Sequence, residues 1–241
     1  MNAPIAVVDL GRRGYAEVLE LQRDFCRRRV AGELEEDLLL LVEHDPVVTL
    51  GRSTRETSLP LPRRLLEARG LEVFEVERGG DVTLHAPGQL VGYPILDLGG
   101  YRQDLHWYLR QLEEAMIRGL ADLGVPAERN PGKTGVWTAG KKIASIGIHV
   151  KQWVTLHGFA LNVTTDLSLF DLIVPCGIHG VTMTSVARER GGAPDGLWTA
   201  ARSAVLRHFG EVFERDMQER KTELLEGRQT DDRIRAATAG N

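Results

Sequence analysis

Apolar residues recur at steps of three and four in three parts of the chain, the spacing of helices that bury one face. The pattern covers residues 14–30, whose arginines fall at the C-terminal end, where the helix dipole favours cations. It is clearest over residues 105–123, and Gly124 follows as a terminating glycine. A third helix is predicted over residues 197–217.

Short apolar runs bounded by glycine, proline or aspartate predict strands between these helices. Residues 37–51 suggest two strands around an Asp-Pro turn, and the polar residues 52–63 suggest a loop. Further strands are predicted in residues 70–81 up to Gly79-Gly80, in residues 81–98 around a Pro-Gly turn, and in residues 134–150 and 155–165, with a turn at Ala139-Gly140.

The order of these elements indicates the fold class. Strands outnumber helices and often follow each other directly, which favours a single α/β (α+β) domain with a mixed, largely antiparallel sheet and packed helices. This domain is expected to span residues 1–220. Residues 226–241 are polar and lack a core-forming pattern, so a frayed or disordered tail is expected over residues 221–241.

Composition narrows the function classes. The 241 residues are 42% hydrophobic and 27% charged with a net charge of −4, which gives no electrostatic argument for nucleic acid or membrane binding. No apolar run approaches the roughly 18 residues of a membrane span, and no stretch looks like a signal peptide. The two cysteines fit neither a disulfide scaffold nor a metal pattern, and Cys26 is interpreted as a packed helix residue. A reducing, cytoplasmic setting is expected.

Basic residues cluster at Arg12-Arg13, Arg27-Arg28-Arg29 and Arg63-Arg64. Such clusters are most often solvated faces. The alternative is a docking patch that steers an acidic partner.

Residues 78–93, RGGDVTLHAPGQLVGY, form the richest candidate site. Gly79-Gly80 permits positive φ and close approach of the backbone to a ligand, and consecutive amides can bind an anion. His85 and Gln89 flank a Pro-Gly turn. The alternative is a pair of ordinary turns with a surface histidine. Neither a GxGxxG fingerprint nor a Walker loop is present.

Residues 140–150, GKKIASIGIHV, place Lys142 at the start of an apolar strand. Strict alternation would put Lys142 on one face with Ala144 and Ile146, and Ile143, Ser145 and Gly147 on the other. Such a lysine can simply extend to solvent. A second cation, Lys141, together with partial burial, would instead lower the pKa of Lys142 and make a neutral amine available as a base.

Cys176 lies between Pro175 and Gly177, which would display its thiol on a short, stiff turn. It is either a packing residue or a nucleophile. A serine triad built on Ser145 lacks a G-x-S-x-G elbow, and the histidine spacings do not indicate a metal site.

Three stretches together resemble the octanoyltransferases of lipoate biosynthesis: RGGDVTLHAPGQLVGYP, GKKIASIGIHV with LHGFALNV, and DLSLFDLIVPCGIHGVTMTSV. The likeness covers roughly residues 5–215. It implies the fold of lipoate and biotin protein ligases, and it implies a monomer without cofactor or metal. The implied reaction moves octanoyl from octanoyl-acyl carrier protein to a lysine of lipoyl domains, those of 2-oxoacid dehydrogenase E2 subunits and the glycine cleavage H protein.

By position, the resemblance assigns the acyl-enzyme nucleophile to Cys176 and the catalytic lysine to Lys142. The acyl-binding residues it implies are Arg78, Gly79, Gly80, Asp81, Val82, Thr83, Leu84, His85, Ser145, Ile146, Gly147, Gly158, Phe159 and Ala160. One departure is Ala86, where the family usually has glycine, so the turn after His85 is expected to differ slightly.

Two other functions fit parts of the pattern. An ATP-dependent lipoate or biotin ligase on the same fold would activate a free acid as an acyl-adenylate and would not need Cys176. A non-catalytic binder of lipoyl or acyl carrier domains would form stable complexes without a covalent adduct. The glycine-rich segments and Cys176 argue against the binder.

Overall fold

A computed structural model describes residues 3–174 and 180–221. Within them lie eleven strands, β1 (Ile5–Arg13), β2 (Asp37–His44), β3 (Val47–Leu50), β4 (Glu72–Glu75), β5 (Val82–His85), β6 (Gln89–Ile95), β7 (Glu128–Asn130), β8 (Lys133–Thr138), β9 (Lys141–Lys151), β10 (Val154–Asn162) and β11 (Met217–Arg220). The helices are α1 (Tyr15–Val30), α2 (Arg63–Glu67), α3 (Leu105–Asp122), α4 (Val186–Glu189) and α5 (Leu197–Phe213), with 3-10 turns at Glu56–Ser58, Leu98–Gly100 and Leu167–Leu172.

The strands form two sheets. The larger has the order β11-β1-β2-β6-β10-β9-β8-β7, and only β1 pairs in parallel, with β2 and β11. The smaller has the order β4-β3-β5, with β3 parallel to β4 and antiparallel to β5. The predicted mixed, largely antiparallel sheet with packed helices is therefore confirmed.

Both faces of the large sheet are buried. Along β2, Leu39 and Leu41 join the core under α3 and α5, while Leu38 and Leu40 join the core under α1. A strand that is covered on both faces needs apolar residues at every position, which explains the unbroken leucine run. A third apolar cluster lies between the small sheet and the residues near Phe170.

The two strands predicted within residues 37–51 and the two predicted within residues 81–98 are all present, but neither pair forms a hairpin. Although β2 and β3 are consecutive in the chain, they belong to different sheets, and so do β5 and β6. Between β5 and β6, Gly88 has a φ of +82°, and its carbonyl accepts hydrogen bonds from the amides of Val163 and Thr164. The turn is thus anchored to the segment after β10, and the chain changes sheets there.

The last predicted helix is too long at its C-terminal end. Helix α5 stops at Phe213, because Glu214 adopts a left-handed φ of +55° and breaks the helical path. Met217, the predicted last helical residue, instead begins β11, which pairs with β1 at the sheet edge. Strands β1, β7 and β11 have no counterpart among the predicted elements.

We expect Phe209→Ala to lower the free energy of unfolding by about 3–5 kcal/mol, because it removes buried apolar surface and leaves a cavity in the core between the sheet and the helices. Phe209 is 0% exposed and its ring stacks on Phe213 with centroids 4.5 Å apart. Urea unfolding followed by circular dichroism measures the change. Leu105→Ala, at a position 43% exposed, is the control. Equal effects of the two substitutions would contradict this packing.

Candidate functional site

A cavity of about 190 Å³ opens where the small sheet meets β9 and β10. Buried apolar cavities of about 150 Å³ hold a molecule the size of benzene, so this one has the scale of a short acyl chain. Its lining includes Lys142 and every predicted acyl-binding residue except Gly79 and Leu84, together with Tyr15, Tyr93, Gly132, Lys133, Thr134 and His157. The three predicted segments therefore meet at one site.

The two remaining predicted residues, exposed Gly79 and buried Leu84, do not line the cavity. The amide of Gly79 donates a hydrogen bond to the carbonyl of Ile148 at 2.8 Å, which ties the glycine pair to β9. Leu84 is fully buried in the apolar cluster of the small sheet. Both residues support the cavity wall.

The predicted alternation along β9 is wrong at Lys142. The register between β8 and β9 shifts between Val136 and Trp137, so Ile143 is an extra residue in the ladder. A bulge of this kind re-aims a side chain. Ile143 and Ala144 both join the core under the helices, whereas Lys142 lines the cavity.

Lys142 is buried, so the interpretation of a lysine reaching solvent is wrong. Its side chain is among the largest fully buried ones of the described residues, and Nζ lies 5.7 Å from the centroid of the Trp137 ring. Its amide donates to the Thr182 carbonyl, and its carbonyl accepts from the Thr184 amide, both at 2.9 Å. The segment that follows Cys176 in sequence is thereby fixed against the strand of the lysine.

The neighbouring cation, Lys141, forms an ion pair within the protein. The Lys141 ammonium donates to Glu189 at 2.6 Å. This hydrogen bond and a second one from Thr184 lower the pKa of the Glu189 carboxyl. Lys141 therefore carries its own counter-ion beside Lys142.

Arg78 shapes the cavity wall. Its guanidinium donates to the carbonyls of Thr49 and Asp81, each at 2.7 Å. Its stem packs on Gly147, where the Cβ of a substituted residue would lie 2.9 Å from Arg78 Cδ. A side chain at position 147 would push the arginine out of place, so Gly147 and Arg78 depend on each other.

His85 is a buried wall residue, which makes the surface-histidine alternative wrong. Its Nδ1 lies 2.8 Å from the Gln89 side-chain oxygen, and the Gln89 amide donates to Asn162 at 2.9 Å. Since that oxygen only accepts, the proton of neutral His85 is on Nδ1. Burial lowers the pKa of His85 to about 3, with nearby His44 as a smaller cause.

Sequence reasoning missed the aromatic wall. Tyr15, at the start of α1, stacks on the His85 ring with centroids 5.9 Å apart. Neutral His44 donates from Nδ1 to the Arg13 carbonyl, so its Nε2 accepts from the Tyr93 hydroxyl at 2.9 Å. His157 is buried with a left-handed φ of +59°, and its amide donates to the Gln22 side-chain oxygen. Tyr15 and His44 lie in segments that no local motif marks, whereas Tyr93 and His157 lie inside the quoted motif stretches but were not singled out.

The alanine after His85 fits its turn. Ala86 is fully buried and is not among the residues with positive φ, which in this turn is confined to Gly88. The Ala86 carbonyl accepts from the Gln89 amide at 3.2 Å. The Cβ is therefore accommodated without strain at this position.

The remaining sequence predictions concern the two cysteines, the basic clusters and the C-terminal tail. Cys26 is a buried free cysteine whose pKa is raised by burial, as expected for a packing residue. Each basic cluster contains internal ion pairs, Arg12 with Asp45, Arg29 with Asp37 and Arg63 with Glu67, which favours the solvated-face interpretation. Cys176, with Pro175, Gly177 and His179, lies outside the described residues, as does nearly all of the predicted tail.

In residues 3–174 and 180–221, no group of three or more histidine, cysteine, aspartate or glutamate side chains could hold a metal ion. The helices in these ranges are all too short or too polar to cross a membrane.

A profile of the lipoyl protein ligase A/B catalytic domain matches residues 14–210. The chain is 48% identical over 220 residues to the octanoyltransferase of Acidobacterium capsulatum, with 86% of this chain and 89% of that one covered. It is 52% identical over 187 residues to the octanoyltransferase of Geobacter sulfurreducens, with 78% of this chain and 76% of that one covered. A solved lipoate-protein ligase A bound with ATP shares the fold, with a TM-score of 0.69, 19% identity, and 92% and 89% coverage.

We expect the free energy of unfolding to fall as the pH is lowered from about 6.5 towards 3. In the unfolded chain His85 takes up a proton near its ordinary pKa of 6.5, whereas burial delays this in the folded state to a pKa of about 3. The stabilisation is complete above pH 6.5 and is lost below it, by up to about 1.4 kcal/mol per pH unit for this one group.

Urea unfolding at pH 7 and pH 5 measures this effect. His85→Gln should reduce the difference between the two pH values, and His106→Gln, at an exposed position on α3, should leave it unchanged. A pH difference that is identical in His85→Gln and the parent would contradict the assignment.

Proposed function

Because this chain belongs to the octanoyltransferases, acyltransferases of protein lipoylation with a lipoyl protein ligase A/B catalytic domain, we propose a two-step reaction for it. Octanoyl-acyl carrier protein donates octanoyl to Cys176. The acyl-cysteine thioester then passes octanoyl to the amine of a specific lysine on a lipoyl domain. Lys142 moves the protons in both steps, and the reaction takes place in the cytoplasm.

The position of Lys142 carries this proposal. Its side chain is buried at a cavity whose walls come from the three predicted acyl-binding segments. This supports a base held beside an acyl site. Thr182 and Thr184, six and eight residues after Cys176, bond to the backbone of Lys142. This supports a partnership between the cysteine and the lysine.

In the first step the Cys176 thiol gives its proton to Lys142 and attacks the octanoyl carbonyl as a thiolate. The bond from the carbonyl carbon to the phosphopantetheine sulfur breaks, and the Lys142 ammonium returns the proton to the departing thiol. One thioester replaces another, so the step is nearly balanced in free energy.

In the second step the acceptor lysine amine attacks the acyl-cysteine carbonyl. Lys142 takes a proton from the attacking nitrogen, the bond to the Cys176 sulfur breaks, and an amide remains on the acceptor. The thiolate recovers the proton from Lys142, which restores the starting pair. Both proton transfers need the amine to be held within hydrogen-bond reach of the reacting atoms.

The cavity supplies binding energy for the acyl chain. Val82, Ile146 and Phe159 contribute apolar surface to it. Each methylene that enters is worth about 0.8 kcal/mol of burial. Arg78 packs on Gly147 at the cavity wall, and we propose that this contact helps set the acyl-chain length that fits.

We expect mass spectrometry to detect an octanoyl adduct on Cys176 after the protein is mixed with octanoyl-acyl carrier protein in the absence of ATP. Cys176→Ala should abolish the adduct and the transfer, because no thiolate remains to attack. Cys26→Ala removes the other cysteine of the chain and should leave both intact. A folded parent protein that stays unmodified beside intact donor would refute the acyl-enzyme, and a requirement for ATP would indicate a ligase.

We expect Gly147→Val to reduce kcat/KM for octanoyl donors by about tenfold or more, because the added methyl groups displace Arg78 and fill the cavity. Butyryl donors should lose less. Gly14→Ala, where a Cβ meets nothing within 4 Å, is the control. Equal losses for both chain lengths would argue that position 147 does not bound the acyl chain.

A further inference from the structure

We infer that Glu113, a helix residue outside the cavity lining, is a positioning residue for the Lys142 amine and acts through Gly135. The inference rests on the proposed role of Lys142 in proton transfer. It concerns how the buried amine is held at one place.

The Lys142 side chain lies against the backbone of Gly135. A Cβ built on Gly135 would be 2.8 Å from Lys142 Cε and 3.4 Å from Nζ, and 2.6 Å from the Ala144 carbonyl oxygen. Gly135 also has a φ of +120°, which side-chain-bearing residues rarely adopt. Its bare Cα is therefore the surface on which the end of the lysine packs.

Gly135 is held in turn by Glu113 of α3. The Gly135 amide donates to Glu113 Oε1 at 3.1 Å, in a buried hydrogen bond that joins β8 to the helix. The other carboxylate oxygen accepts from Arg110 at 2.5 Å and from Arg129 at 3.2 Å. With its side chain only 1% exposed and both oxygens bonded, Glu113 has one available position.

This hydrogen bond acts where the sheet is least regular. The ladder between β8 and β9 shifts register immediately after Gly135, at Val136 and Trp137. A glycine beside a bulge has no side chain to restrict its backbone, and the ladder of hydrogen bonds is disrupted there. The rigid helix supplies that restraint, and the position of the glycine determines where the lysine end can lie.

The influence on Lys142 is one of position more than charge. Two guanidinium groups balance the carboxylate, and Glu113 does not line the cavity. Removing it should change proton transfer without changing substrate binding. Misplacement of a reacting group by about 1 Å can slow a reaction by about a hundredfold.

The test compares Glu113→Ala with Glu114→Ala. Glu114 is the next residue on α3 and also pairs with Arg129, but its ion pairs go to Arg118 and Arg129, not to Gly135. We expect Glu113→Ala to lower kcat about 10- to 100-fold with KM for both substrates unchanged. Glu114→Ala should keep the parent kcat. Equal kcat values for the two variants would overturn the inference.

A double-mutant cycle separates positioning from general damage. The rate of octanoyl-Cys176 formation is measured by mass spectrometry at pH 9, where a free thiol ionises without a base. If Glu113 acts only through the lysine, Glu113→Ala should slow the parent and have no further effect on Lys142→Ala. An equal slowing in both backgrounds would show a structural role and overturn the inference.

Two further controls keep the outcome clear. If Glu113→Ala does not fold, as judged by its Tm, Glu113→Gln replaces it, since it keeps the volume but cannot serve Gly135 and both arginines as a carboxylate does. We expect Glu113→Gln to lower kcat less than Glu113→Ala would, and to have no effect in the Lys142→Ala background. Parent-like activity of Lys142→Ala itself would refute the proposed function, a result distinct from failure of the Glu113 contact.

Discussion

The bulge in β9 is the local feature on which the candidate site depends. Without the extra residue, Lys142 would face the apolar core under α3 and α5, where a charged amine is very unfavourable. With it, Ile143 and Ala144 fill that core and the lysine turns to the cavity. One irregular ladder position therefore allows apolar packing on one face of the sheet and places the lysine at the cavity on the other.

The cavity exists because two sheets meet at this strand. The chain leaves the small sheet after His85 and enters the large one at Gln89, and Gly88 anchors the turn between them. A chain of buried hydrogen bonds then runs from His85 through Gln89 and Asn162 to the Thr184 carbonyl. Thr184 also bonds to the backbone of Lys142. The cavity wall and the strand of the lysine are thus parts of one hydrogen-bonded unit.

Much of the fold can be predicted from the sequence where one periodicity dominates. The predicted bounds of α1 and α3 agree with the structure to within one residue at each end, because their apolar faces recur cleanly and glycines flank them. The predicted end of α5 does not, since the left-handed turn at Glu214 has no glycine to signal it. Sheet membership also escapes prediction, because β5 and β6 look like a hairpin in sequence and only their partners separate them.

The sequence by itself determined the chemistry-bearing segments, because the motifs around Arg78, Lys142 and Gly158 are local and carry the family resemblance. The tertiary structure decided which of those side chains share a cavity, that Lys142 is buried, and that Tyr15 and His157 complete the wall. The physical reason is that alternation along a strand assumes a regular ladder. A bulge breaks that assumption, and its consequences appear only when the neighbouring strands and helices are in place.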